Sequence, residues 1–209
     1  MASSEPIAAR PLAAAPTAAR LHELDARRPL LVRRPHKYRQ LVGIAYAFVL
    51  TLLGAPPGAG TWAAGVALAI AGELVRLWAA GHVHKNVTLT RTGPYAWVRH
   101  PLYTGNTLIA LGLCLASWLW WSLPVYALFH VAFVVPTIRR EDRRLYDRHP
   151  EQWEAWGPST PAIVPRPPRA DASRGRGEWS LRQCLVANGE PIYALVLSGC
   201  LAYLYFRIG

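Results

Sequence analysis

LYTGNTLIALGLCLASWLWWSLPVYALFHVAFVVPTI, residues 102–138, runs for 37 residues without a Lys, Arg, Asp or Glu. As a single α-helix rising 1.5 Å per residue it would reach about 55 Å, nearly twice the ~30 Å hydrocarbon thickness of a bilayer. The stretch therefore has to fold back on itself. The reversal belongs at Ser117-Trp118-Leu119-Trp120-Trp121-Ser122-Leu123-Pro124, because Trp clusters settle at the membrane interface and Pro suits the first turn of a helix. Two antiparallel membrane spans follow from this stretch alone.

Outward from it, further apolar runs occupy residues 41–53, 61–80 and 191–206, the second of them interrupted by Glu73 and Arg76. The first is short, and residues 38–60 extend it through uncharged or snorkelling flanks. The expected fold is an all-α, polytopic integral membrane protein with about five transmembrane helices. Composition agrees, since 52% of the 209 residues are apolar and 17% charged, against roughly a quarter charged in soluble domains. Nine Trp, nine Tyr and the lack of repeats exclude disordered, collagen-like and coiled-coil classes. Cys114, Cys184 and Cys200 form an odd set without CxxC spacing, which argues against a disulfide framework or a zinc ribbon.

The net charge of +11 comes from 23 basic against 12 acidic residues, and its distribution sets the orientation. Residues 54–61 and 117–124 contain no Lys or Arg, so these loops are expected outside. Apart from Arg76 and Arg207, the remaining 21 basic residues fall on the opposite side, which places the N-terminus and the functional site on the cytoplasmic face of a bacterial inner membrane or the endoplasmic reticulum. Basic clusters flanking apolar spans are matched to anionic membrane lipids, and no nucleic-acid partner is expected. Residues 1–37 read as a disordered or interfacial basic segment rather than an export signal. Residues 38–165 read as a four-span core, 166–190 as a Pro/Gly/Arg linker with an interfacial segment, and 191–209 as a C-terminal transmembrane helix. That last span serves as a lateral route for lipid, a structural extension or a dimer contact through Ser198-Gly199-Cys200, and the sequence leaves these open.

Chemistry is concentrated between the second and third spans, in GHVHKNVTLTRTGPYAWVRHPLYTG, residues 81–105. Gly93-Pro94 makes a turn, and Pro101 opens a helix whose free N–H groups and positive dipole end face the loop, where an anionic group is favoured. Gly105, one turn in, allows close backbone approach, while Tyr95 and Tyr103 offer flat faces to a purine or a sulfonium. The same residue types also describe an interfacial loop whose Arg and Tyr anchor to lipid headgroups.

Arg91-Thr92-Gly93-Pro94-Tyr95-Ala96-Trp97-Val98-Arg99-His100-Pro101-Leu102-Tyr103-Thr104-Gly105 resembles the G-x-Y-x-x-x-R-H-P-x-Y-x-G signature of the isoprenylcysteine carboxyl methyltransferase and phospholipid N-methyltransferase superfamily. Further on, Arg139-Arg140-Glu141-Asp142-Arg143-Arg144-Leu145-Tyr146 and then Glu151-Gln152-Trp153-Glu154-Ala155-Trp156 are similar to its E-E-x-x-L segment and aromatic-x-x-aromatic pair, in the same order. The resemblance covers roughly residues 62–165 and implies a membrane methyltransferase that binds S-adenosylmethionine at the cytoplasmic surface. It implies a cofactor site around Tyr95, His100, Pro101, Leu102, Tyr103 and Gly105, with Glu141 and Asp142 from the second motif and His84 nearby. It also implies Glu141 and Arg99 as catalytic residues. Asp142 replaces the usual second Glu, and Trp153 and Trp156 replace common tyrosines. The sequence has no GxGxxG, in keeping with a cofactor site that is not a Rossmann sheet.

Methyl transfer needs chiefly that donor and nucleophile be held in line, since the sulfonium already carries the activation. A carboxylate acceptor needs no general base, whereas an amine or phenol must lose a proton, and Glu141, His84 and His100 are the nearby candidates. Glu73 and Arg76, three apart on the second span, share a helical face and are expected to pair. They either bind a polar substrate head, with Trp153 as another wall of that site, or hold the second span against the third and fourth. No metal site is expected, because His82-Val83-His84 with His100 is a poor tetrahedral pattern that no Cys or carboxylate completes. The expected function is methylation of a lipophilic small molecule by S-adenosylmethionine, with an isoprenylcysteine-type carboxylate as first acceptor and a phospholipid amine or phenolic or quinone lipid next. The competing readings are a non-catalytic membrane scaffold and an NADPH-dependent reductase on a related fold.

Overall fold

The computed structural model describes residues 35–83, 89–168, 178–187 and 190–208. Among these the secondary structure is helical throughout. The principal helices are α1 (Pro35–Leu53), α2 (Ala59–His82), α3 (Pro101–Ser117), α4 (Ser122–Phe129), α5 (Val135–Arg148), α6 (Pro150–Trp156) and α7 (Glu190–Tyr205). A π-turn, His130–Val134, joins α4 to α5, so that Ser122–Arg148 is one 27-residue rod. Two helices, Ala59–His82 and Ser122–Arg148, are long and apolar enough to cross a bilayer by length and composition. The other apolar runs also form helices, which end within a few residues of the expected limits.

The reversal at 117–122 is present. α3 ends at Ser117, Trp118 takes a left-handed conformation with φ 56°, and the chain re-enters helix at Ser122. The expected extension of the first span to residue 60 is corrected. α1 stops at Leu53, because Gly54 and the Pro56-Pro57 pair cannot continue it, and it extends instead at its N-terminal end to Pro35. The Ala55 amide donates to Ser117 O at 3.1 Å, which brings the two loops lacking Lys and Arg to one end of the bundle.

The π-turn follows from Pro136, which cannot donate to the carbonyl four residues back. Thr137 Oγ1 donates to Phe133 O at 2.6 Å and satisfies one of the loosened carbonyls.

α2 and α3 form the tightest contact of the bundle, and the reason is a pair of glycines on each. A Cβ on Gly72 would lie 2.6 Å from Gly105 O and one on Gly105 2.6 Å from Gly72 O; Gly65 and Gly112 repeat the relation at 2.6 Å. Seven-residue spacing on both helices lets two antiparallel backbones touch twice along one seam. Leu50, Ala69, Leu113, Cys114, Ala116, Tyr126, Cys200, Leu201 and Leu204 make the core, joining α1, α2, α3, α4 and α7. This core supports the loop end of α2 and α3, where the polar residues gather.

Candidate functional site

Arg99 and His100 precede α3, and the segment after α6 fixes them. The Arg99 and His100 amides donate to Pro161 O (2.8 Å) and Ala162 O (3.0 Å), the Thr104 hydroxyl to Ile163 O (2.7 Å), and the Trp156 indole to Tyr95 O (3.3 Å). The loop at 157–163 thus pins the stretch before α3 to the end of α6. Gly93, at φ 59°, starts a single 3₁₀ turn (Gly93–Ala96) and lies against the His82 ring, so the expected turn is present.

The two acidic residues of α5 meet this stretch from the other side. Asp142 accepts from His100 Nε2 at 2.7 Å on one oxygen and from Arg99 Nη2 at 3.0 Å on the other. Glu141 accepts from the Tyr103 hydroxyl at 2.6 Å, and its second oxygen lies 3.5 Å from His100 Nδ1. The imidazole is therefore flanked by a carboxylate on each nitrogen. Burial alone lowers its pKa, but the hydrogen bonds and charges of Asp142 and Glu141 outweigh that and raise it above the ordinary histidine value. His100 is 6% exposed and Glu141 41%, so the histidine is interior while the glutamate opens outward.

Arg99 is held through both terminal nitrogens, while its buried Nε has no hydrogen-bond partner among the described residues. Nη1 donates to Gly157 O and Thr160 O, both at 2.7 Å, and the guanidinium lies 5.5 Å from the Trp153 ring, which packs edge-on to Trp156. Arg39 of α1 adds a sixth member to the cluster. It donates to the Tyr103 hydroxyl and lies over the Tyr103 ring.

Arg99, His100, Tyr103, Glu141 and Asp142 are thus brought together, with Trp153 against Arg99. Pro101 is buried as the first residue of α3, Leu102 is half-buried beside it, and Tyr95 is buried. The close approach that Gly105 permits is to the backbone of α2 at Gly72 and to the Arg76 stem. Glu73 and Arg76 pair at 3.7 Å as expected, and Arg76 also donates to Asn106 and lies 4.7 Å from the Tyr193 ring of α7. They form a second polar group, one turn further along α3. His84 lies outside the described residues, as do residues 1–34 and 169–177 of the expected terminal and linker segments. The interfacial segment is described in part: Trp179 donates to Leu77 O at 3.2 Å and Gln183 to Val83 O at 2.8 Å, against the end of α2. Among the described residues no group of three or more His, Cys, Asp or Glu is placed to hold a metal ion.

Sequence reasoning missed Arg39, Asn106 and Tyr193. Arg39 and Tyr193 are remote from the motifs, whereas Asn106 directly follows Gly105, and Arg39 sits in a basic run that the charge asymmetry had already explained. The glycine seam was available in the seven-residue spacings.

Residues 60–149, which contain Arg99, His100, Tyr103, Glu141 and Asp142, match the family described as phospholipid methyltransferase. The cobalt-zinc-cadmium resistance protein CzcN of Cupriavidus metallidurans is 36% identical over 154 residues, covering 67% of this chain and 67% of that one. This chain belongs to the phospholipid methyltransferase family. The family is part of the isoprenylcysteine carboxyl methyltransferase-like superfamily, so the resemblance read from the two motifs holds. A second relative, the nickel-cobalt-cadmium resistance protein NccN of Alcaligenes xylosoxydans xylosoxydans, is 33% identical over 106 residues, 49% of this chain and 47% of that one. No solved structure gives a significant match. Arg39 lies outside the segment that matches the phospholipid methyltransferase family.

The donor set fits the cofactor of such a family. A nucleoside-linked amino acid with a sulfonium presents cationic, anionic and aromatic parts. Here an outward-opening carboxylate (Glu141), a guanidinium (Arg99), an imidazole (His100) and an aromatic ring (Tyr103) lie within one cluster.

Proposed function

We propose that the protein is an integral membrane methyltransferase that uses S-adenosylmethionine to methylate a lipophilic acceptor reaching the site from the bilayer. The observation that carries this is the junction of the two family motifs, in which both carboxylates of α5 engage Arg99, His100 and Tyr103. The cofactor would supply an already activated methyl group. Around it, His100, Tyr103, Glu141 and the backbone at Pro101 and Leu102 form the binding surface, with Asp142 holding His100 and Arg99 in place. Arg99, fixed by three hydrogen bonds, positions the loop at 157–160 relative to α3.

The carboxylate of an isoprenylcysteine-type molecule is the first acceptor class, since it needs no general base. A phospholipid amine or a phenolic lipid would pass its proton to Glu141, whose outer edge is exposed. Five spans, with the site and N-terminus on the cytoplasmic face, are supported by the helices at each apolar run and by the absence of Lys and Arg from the loops at 54–61 and 117–124. The relatives' names link those proteins to cobalt, zinc, cadmium and nickel resistance; we extend that setting to this chain, with methylation of a lipophilic membrane component as its contribution.

The test is transfer of labelled methyl from S-adenosylmethionine to a panel of prenylcysteine, phospholipid and phenolic lipid acceptors in detergent or liposomes. Label in any one of them, lost in Glu141→Ala, supports the reading. No transfer to any, with a folded protein that also fails to bind S-adenosylhomocysteine, overturns it.

A further inference from the structure

Arg39 lies on the inward stripe of α1, in line with Gly43, Tyr46, Ala47 and the fully buried Leu50. At the loop end of that stripe it reaches across to α3, donating to the Tyr103 hydroxyl with its guanidinium 4.8 Å from the ring centroid. That hydroxyl donates onward to Glu141 at 2.6 Å. Arg39 is half-buried.

Asp142 engages Arg99 and His100, and Glu141 engages His100 and Tyr103. Among the described residues neither carboxylate accepts a hydrogen bond from Arg39, whose donor goes to the neutral Tyr103 hydroxyl while its charge lies near Glu141. A partly desolvated cation beside a reaction site attracts an anion and repels an ammonium. Leu41 and Val42, within a turn of Arg39 on α1, are exposed apolar residues, so apolar surface lies beside the end of α1 that carries Arg39.

We propose that Arg39 is a specificity-determining residue that recognises a negatively charged head group on the lipophilic acceptor and seats it beside Tyr103 and Glu141. This rests on the methyltransferase reading and deepens it. It selects carboxylate- or phenolate-headed acceptors over amines, and it makes α1, which lies outside the matched family segment, part of the site.

The experiment uses the full chain in neutral detergent and three probes with one C15 isoprenoid thioether tail: a carboxylic acid, its methyl ester and the corresponding primary amine. Dissociation constants are measured for wild type, Arg39→Gln and Arg39→Lys, and for S-adenosylhomocysteine with each protein. Wild type is expected to bind the acid at least about tenfold tighter than the ester or the amine, as one charge-assisted hydrogen bond supplies. Arg39→Gln, which retains a donor for Tyr103 without the charge, is expected to reduce that preference below about threefold, and Arg39→Lys to restore most of it. S-adenosylhomocysteine affinity should stay within about threefold throughout, a pattern that mere loosening of α1 would not give. An acid bound no tighter than its ester and amine by wild type, or a preference that survives Arg39→Gln, overturns the assignment. Failure of wild type to bind S-adenosylhomocysteine overturns the methyltransferase reading itself.

Discussion

Asp142→Ala removes the residue that joins the two motifs. Its oxygens accept from His100 Nε2 at 2.7 Å and Arg99 Nη2 at 3.0 Å, with His100 6% exposed and Arg99 and Asp142 each 19%. Truncation leaves the buried His100 imidazole and the largely buried Arg99 guanidinium without the carboxylate they share. Breaking a buried pair by removing one partner costs about 3–5 kcal/mol. The residual exposure of Asp142, and the carbonyls that still hold Arg99, favour the lower end, about 3 kcal/mol. For a chain of this size that corresponds to a melting temperature lower by roughly 6–12 °C. The assay is tryptophan-fluorescence melting in detergent, with Asp142→Asn alongside. The amide keeps the shape and one acceptor, so it should fall between wild type and alanine. An Asp142→Ala protein that melts within about 2 °C of wild type would refute the reasoning, because it would mean that Arg99 and His100 do not depend on this carboxylate.

Glu141→Ala should reduce methyl transfer by at least about a hundredfold while the protein remains folded, since Glu141 is the outward-opening carboxylate of the cluster; unaltered turnover removes it from the site. Gly72→Ala would set a Cβ 2.6 Å from Gly105 O and 2.8 Å from the Ile109 amide nitrogen. Overpacking of this kind costs about 1–3 kcal/mol, read as a lower melting temperature, whereas Gly58→Ala, with open space around it, should change little. The raised pKa of His100 has a defined sign. A folded-state value above the unfolded one contributes stability that is fully present below the unfolded pKa of about 6.5 and lost as pH rises through the higher folded value. Melting temperature should therefore decline as pH increases above about 6.5, and His100→Gln should flatten that decline; a profile with the same slope in the variant counts against protonation of His100.

Helix positions were legible because a charge-free stretch twice the thickness of a bilayer has to reverse, and the Trp-rich segment with Ser117 and Ser122 marks the place. The apolar run 41–53 ends where α1 ends, but its extension to residue 60 overlooked the stop at Gly54-Ala55-Pro56-Pro57, and an apolar count does not register the helical continuation through charged residues to Pro35. The meeting of Arg99 and His100 with Glu141 and Asp142 was legible through the two motifs, but which carboxylate takes which cation was not. That assignment depends on how α5 is rotated after the π-turn at His130–Val134, a departure that Pro136 signals without fixing its size. Arg39 was hidden for a different reason. A basic residue at the end of an apolar helix is the common signature of lipid contact, and only the packing of α1 on α3 gives it another partner.

The most direct measurement is calorimetric titration of the detergent-purified full chain with S-adenosylhomocysteine, with NADPH titrated in parallel. The account predicts saturable, one-site binding of S-adenosylhomocysteine, weakened in Tyr103→Ala, and no binding of NADPH. Binding of NADPH instead would contradict it in favour of a reductase on a related fold, and binding of neither by a folded protein would leave a scaffold that keeps the motifs without the chemistry.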